Sequence, residues 1–198
     1  MTSQPLTRDH MASESDEALL QQVRCGDADA FERLFLRHYS QVYRVLYNLL
    51  GSREEAEDIA QETFLALLDR PPPANGAALI AWLCRVALNR GYNLLRGQRR
   101  ARQHAERLAE PPEQIDPYGE ALRAEDRARV RATIAELPER QGQLLLLRYA
   151  GLAYAEIAAV LDLAPGSVGT LLARAERAFL ERYQRDYPAE ARPGEQEG

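Results

Sequence analysis

Between residues 14 and 187 apolar side chains recur three and four positions apart, the spacing of a helix that buries one stripe. Alternating β-branched runs and Asn-Gly hairpin turns are missing, so the pattern carries no strand signal. It predicts helices over 15–25, 28–50, 53–69, 77–103, 120–136, 139–150, 153–162 and 167–184. Ser52 and Glu55 have the spacing of a capping box ahead of the third helix. Pro138 suits the first turn of the sixth. Two stretches cannot be helical. "RPPPANGA" (70–77) has three prolines that remove donors and force extended backbone, so 70–78 is expected to be a loop. "LAEPPEQIDPYG" (108–119) reads as an interdomain linker. The expected fold is all-α, with two small helical domains, 14–107 and 119–187, joined by a flexible linker at 108–118. Residues 1–13 and 188–198 are expected to be disordered tails.

The faces of three predicted helices carry the functional signal. On 53–70, Ala56, Ile59, Ala60, Thr63, Ala66 and Leu67 share a core side, while Asp58, Gln61, Glu62, Leu65 and Leu68 fall opposite. A face mixing leucines with carboxylates fits a protein–protein contact; a solvated acidic face with incidental leucines fits the same pattern. On 79–100, Leu83, Val86, Ala87 and Leu94 define the core side. Trp82, Arg85, Asn89, Tyr92, Asn93, Arg96, Arg99 and Arg100 form the other, and Arg90 falls among the apolar positions without a role. Arginines serve phosphates, amides pair with base edges and aromatics stack on unpaired bases, so this face points to nucleic acid. The loop 70–78 beside it is either a pocket for a flipped base or a plain connector.

The third face belongs to "AYAEIAAVLDLAPGSVGTLLARAERAF" (153–179), two short helices joined at a Pro-Gly turn, as in a helix-turn-helix. Val168, Leu172, Ala175 and Phe179 should pack on Ile157, Ala158 and Leu161. That leaves Ser167, Gly169, Thr170, Leu171, Ala173, Arg174 and Arg177 outward, with Ser167 placed as an N-cap. This second helix has no positive charge before Arg174.

Charge sharpens the picture. The net charge of −5 excludes a protein that coats nucleic acid indiscriminately, yet between Cys84 and Ala109 seven arginines stand against the single acid Glu106. Between Ser13 and Asp69 acids outnumber bases. No apolar run approaches the roughly 20 residues of a membrane span, and the first 30 residues lack a secretory h-region. Cys25 and Cys84 stand apart from any CxxC or His/Cys cluster, the usage of a reducing, cytoplasmic compartment. Neither a Ser/His/Asp set nor a metal spacing nor a glycine-rich phosphate loop is present, so neither catalysis nor a cofactor is expected.

In order along the chain, "DAFERLFLRHYSQVYRVLYNLLGSREEAEDIAQETFLALL" (29–68), "AWLCRVALNRGYNLLRGQRR" (81–100) and "LPERQGQLLLLRYAGLAYAEIAAVLDLAPGSVGTLLARAERAF" (137–179) resemble the extracytoplasmic-function (ECF) sigma factors of the sigma-70 family. The resemblance implies an alternative sigma factor that takes core RNA polymerase to specific promoters. It implies that Asp58, Gln61, Glu62 and Leu65 dock on polymerase. Loop 70–78 with Trp82, Arg85, Asn89, Asn93, Arg96, Arg99 and Arg100 would open and hold the −10 element. The −35 element would be met by Ser167, Thr170, Leu171, Arg174 and Arg177, with Leu171 against thymine methyls. An anti-sigma partner is also implied. The chain departs from the family at Gly169 and Leu171, where basic residues are usual, at Asp162 in place of Gly, and at Asn93 in place of an acid. Two other readings share these features. A free-standing helix-turn-helix regulator would not need the 53–69 face, and a sigma-like interaction protein would not need to read promoters.

Overall fold

The computed structural model describes residues 14–72, 79–105 and 121–188. The expected tail 1–13, the linker, most of the loop 70–78 and all of the last tail but Pro188 lie outside the described residues. Every described element is helical: α1 (Asp16–Arg24), α2 (Ala28–Leu50), α3 (Arg53–Asp69), α4 (Leu79–Ala105), α5 (Ala121–Glu136), α6 (Glu139–Tyr149), α7 (Tyr154–Leu161) and α8 (Val168–Asp186). A 3₁₀ turn, Pro165–Ser167, leads into α8.

Local chemistry sets most of these boundaries. Ser15, Asp27 and Ser52 accept from Ala18, Ala30 and Glu55 amides and so cap α1, α2 and α3. The capping box at α3 is half made, because the Glu55 carboxylate accepts from Gln98 Nε2 at 2.5 Å, which ties α3 to α4. Gly51 ends α2 in the left-handed region, φ 76°, where a glycine has no Cβ to strain. Pro138 is the N-cap of α6 and precedes its first turn. Asp162 takes the left-handed position that ends α7, φ 54°, as its short polar side chain permits.

α2 is the hub of the first half, packing on α1, α3 and α4; in the second, α6 packs on α8 and α7, and α5 on α8. Along α2 an aromatic row at i, i+4 spacing, Phe35, Tyr39, Tyr43 and Tyr47, stacks ring on ring at 4.8, 5.9 and 5.8 Å. Phe64 of α3 meets Phe35 edge-on at 4.9 Å. At Gly91 α2 and α4 come so close that a Cβ would stand 2.7 Å from Leu49 Cδ2.

The halves also pack on one another, α4 against α7 and α2 against α6 and α5. The apolar core is therefore continuous, running from Leu34, Leu46, Leu83 and Leu88 into Leu144, Leu147, Leu152 and Ile157. A small satellite of Leu137, Leu145 and Ala175 fastens α6 to α8.

α1 is pinned by charge as well as by Leu19, Leu20 and Val23. Asp16 Oδ2 lies 2.7 Å from Nε2 of buried His38, and Asp16 Oδ1 lies 2.5 Å from Arg37. Burial alone would raise the Asp16 pKa, but His38 and then Arg37 outweigh it and hold the carboxyl below its usual value. A carboxylate depressed in the fold stabilises above its unfolded pKa, near 4, and loses that contribution as pH falls through the folded value. Asp16→Asn should cost about 1 kcal/mol at neutral pH. Urea unfolding of parent and variant should show that gap closing below about pH 4.

Candidate nucleic-acid and partner interfaces

The outer face of α3 is as the periodicity places it. Ala56, Ile59, Ala60, Thr63 and Leu67 are buried with Phe64, and Thr63 Oγ1 donates to the Ile59 carbonyl at 2.7 Å. Ala66 is only half-buried. Asp58, Gln61 and Glu62 are exposed, and so are Leu65 (55%) and Leu68 (53%). Two leucines half out of water on one helix form an apolar strip edged by carboxylates. Arg90, which the sequence left without a role, crosses from α4 to pair with Glu62. The α3 face and the basic helix are thus joined by an ion pair.

On α4, Asn89, Asn93, Arg96, Arg99 and Arg100 are exposed. Asn93 Oδ1 accepts from Arg96 Nη2 at 2.9 Å, so this neutral amide orients an arginine without cancelling its charge. Trp82 and Tyr92 are half-buried against the core. Burial, with Glu139 nearby, pushes the Tyr92 hydroxyl well above its usual pKa, so the ring is a neutral apolar wall. Two of the stripe's arginines reach the second half. Arg85 Nε donates to the Val160 carbonyl at 3.0 Å, and its Nη2 donates to Ala159. Arg96 Nη1 lies 3.5 Å from Glu139.

Those carbonyls belong to the last turn of α7, which has no basic residue of its own. A helix end leaves its final carbonyls without intrahelical donors. Here Arg85 takes Ala159 and Val160, and Arg140 of α6 takes Leu161 at 2.7 Å. The guanidinium charges also oppose the negative end of the helix dipole.

In the helix-turn-helix the expected packing holds for half of its members: Val168 and Leu172 are buried in the cluster of Ile157 and Ala158, with Leu161 half-buried against it, whereas Ala175 and half-buried Phe179 pack with Leu137 and Leu145, because that side of α8 crosses α6. Thr170, Arg174 and Arg177 are exposed. Two further expectations need correction. Ser167 stands at the N-cap position of α8 but its side chain makes no capping bond; it is the last residue of the 3₁₀ turn, and its hydroxyl donates back to the Ala164 carbonyl at 2.7 Å. Leu171 does not stand fully outward, because it is half-buried and packed on the main core, which leaves only part of its side chain for a partner. Gly169 faces the second half's own Tyr154, whose Cε2 would lie 3.6 Å from an added Cβ. The guanidinium of exposed Arg148 sits 5.4 Å over the Tyr154 ring. This stacked cation beside the uncharged start of α8 had no local signature, since Arg148 and Gly169 sit on different helices.

In the loop 70–78 only Arg70, Pro71 and Pro72 are described, with Pro72 accepting from Arg24. Among the described residues no group of three or more His, Cys, Asp or Glu side chains is arranged to hold a metal ion, and no single helix is long and apolar enough to cross a membrane.

An acid-poor arginine face with exposed amides can bind a nucleic-acid backbone by releasing counterions. Replacing Arg99 and Arg100 together with alanine should weaken binding to single-stranded DNA. The slope of log K against log salt should become shallower by about one to two ions between about 50 and 200 mM salt. Filter binding checks this, with circular dichroism unchanged.

The chain is similar to known proteins in sequence and in fold. Residues 34–101 match the sigma-70 region 2 family and residues 127–179 match sigma-70 region 4. The chain is 31% identical over 181 residues to the RNA polymerase sigma-H factor of Pseudomonas aeruginosa, covering 85% of this chain and 94% of that one. It is 31% identical over 182 residues to the ECF RNA polymerase sigma-E factor of Haemophilus influenzae, covering 86% and 96%. Among solved structures, CnrH in complex with the cytosolic domain of CnrY shares the fold, with a TM-score of 0.65, 23% identity and coverage of 87% of this chain and 99% of that one.

Proposed function

We infer the work of this chain from the family to which it belongs, the ECF RNA polymerase sigma factors of the sigma-70 class. It is an alternative sigma factor, a transcription-initiation protein and not an enzyme. Its cytoplasmic placement, the division into 14–107 and 119–187, the residue assignments and the partners below are our proposal.

In this reading Asp58, Gln61, Glu62 and Leu65 dock on core RNA polymerase, with the leucine as apolar anchor and Arg90 holding Glu62 in place. Trp82, Arg85, Asn89, Asn93, Arg96, Arg99 and Arg100 bind the −10 strand, arginines on phosphates and amides on base edges. No chemistry is needed from the chain, because binding energy offsets the cost of unpairing and unstacking bases. At the −35 element Thr170, Arg174 and Arg177 of α8 make the polar contacts, with Ser167 at its start and the exposed part of Leu171 against thymine methyls. Arg148, stacked on Tyr154, supplies the phosphate contact that Gly169 cannot. An anti-sigma factor is the expected regulator. The observation that carries the reading is the presence on one chain of an exposed acid–leucine face, an arginine–amide face and a helix-turn-helix. A free-standing regulator has no use for the first of these.

Run-off transcription with core polymerase, on the DNA upstream of the chain's own operon, tests this. Leu65→Asp should weaken polymerase binding about tenfold or more, as loss of a central apolar anchor does, while leaving binding to DNA alone intact. Arg96→Ala should lower transcript with polymerase binding unchanged. A silent Leu65→Asp would favour the free-standing regulator. Polymerase binding without promoter-specific transcript on any template, randomised ones included, would favour the interaction-only protein.

A further inference from the structure

We propose that the cavity between α2 and the second half is a binding site for one small amphipathic molecule, an apolar body that carries a single anionic head group such as a carboxylate. The proposal goes beyond the sigma-factor reading and does not rest on it. The cavity measures about 710 Å³. Its walls come from four helices: Tyr47 of α2, Ile134 of α5, Leu145 and Leu146 of α6, and Phe179 of α8. Of the seven large apolar side chains that the described residues expose, three stand here, Val130, Tyr149 and Leu180. Apolar exposure gathered on one concavity, rather than scattered singly, marks an interaction site.

Size selects the class of occupant. Cavities that hold small molecules measure about 300–1,000 Å³ and are mostly apolar, with a few polar groups that orient the ligand. At about 30 Å³ per molecule this space takes about 24 waters, to which the apolar walls offer few partners. Water held so poorly is displaced to advantage by an apolar body. A partner's helix is about 10 Å across with its side chains, so 710 Å³ encloses about 9 Å of it, about six residues. Fewer than two turns of helix is too little to anchor a protein partner, whereas the same space encloses most of a small molecule.

Charge selects the head group. Arg127 and Arg131 are four residues apart on α5, so one side of that helix presents both to the cavity. Among the described residues neither takes part in an ion pair. Half-buried Arg131 lies against the end of α2, so close that a Cβ on Gly51 would overlap its guanidinium. Two carboxylates share the lining, but Asp126 faces Arg129 at 3.9 Å, which leaves Glu176 alone against two guanidinium groups. A guanidinium receives a carboxylate on two parallel N–H donors. A cationic ligand would meet the uncompensated like charge, and a neutral one would gain nothing from it.

Fluorescence titration of the full chain with anilinonaphthalene sulfonate tests the site, because that dye is an apolar ring system with one anionic group. One dye should bind per chain, and laurate below its micelle concentration should displace it. Dodecanol, with the same chain and no charge, should compete less well, and dodecylammonium least. Val130→Trp fills the cavity from an exposed position and should lose dye binding with helix content unchanged. Arg127→Glu should weaken laurate about fivefold, the scale of a part-exposed ion pair, and leave dodecanol unchanged. Glu176→Gln should strengthen laurate and leave dodecanol unchanged. Many dyes bound per chain, dodecylammonium competing as well as laurate, or Val130→Trp binding like the parent would each overturn the proposal. So would co-sedimentation with phosphatidylglycerol vesicles without uptake of monomeric laurate, which would give the patch to a membrane surface instead. None of these measurements contains polymerase or a promoter, so failure of the sigma-factor reading would leave them standing.

Discussion

The structure depends on the double burial of α4. One side of this helix, through Leu83, Cys84, Ala87 and Leu88, completes the core built by α2 and α3, and another meets α7 of the second half. A helix that must satisfy two partners cannot present an all-polar outer face. That is why Trp82 and Tyr92 are half-buried and why two of the arginines around them end on the second half. The remaining arginines, at the C-terminal end of α4, face water.

Polar groups tie the surfaces together. Glu62 on the α3 face pairs with Arg90 of α4, Glu55 accepts from Gln98, and Arg85 closes the end of α7. Exposed pairs of this kind contribute little stability, about 0–1 kcal/mol each, so their effect is on orientation. They fix how α3, α4 and α7 stand relative to one another while the apolar core bears the weight. Cys84 belongs to that core: burial pushes its thiol up to about 12, leaving it a small apolar side chain.

α8 resolves in the same terms. Its first turn has no cation because Ser167 is turned back on Ala164, Leu171 is drawn towards the core and Gly169 lies against Tyr154. A positive charge is nonetheless present beside it, carried by Arg148 on the tyrosine ring. The exposed surface here is shared by α6, α7 and α8.

The eight helices among the described residues were legible in the sequence to within a few residues, because the period of three to four reports a buried stripe wherever that stripe is formed locally. So were the exposed leucines of α3 and the acid-poor face of α4, each of which depends on residues within a few turns of itself. Arg90 with Glu62, Arg85 with Val160, Leu171 with the core and Arg148 beside Gly169 were not legible. Those pairs are separated by 20 to 75 positions or depend on how helices cross, and periodicity along one helix holds no information about what stands opposite it. The continuity of the core across both halves is of the same kind. Sequence alone determined which faces exist, and tertiary packing decided which of them are covered, because burial of one helix against another is set by the partner's position in space.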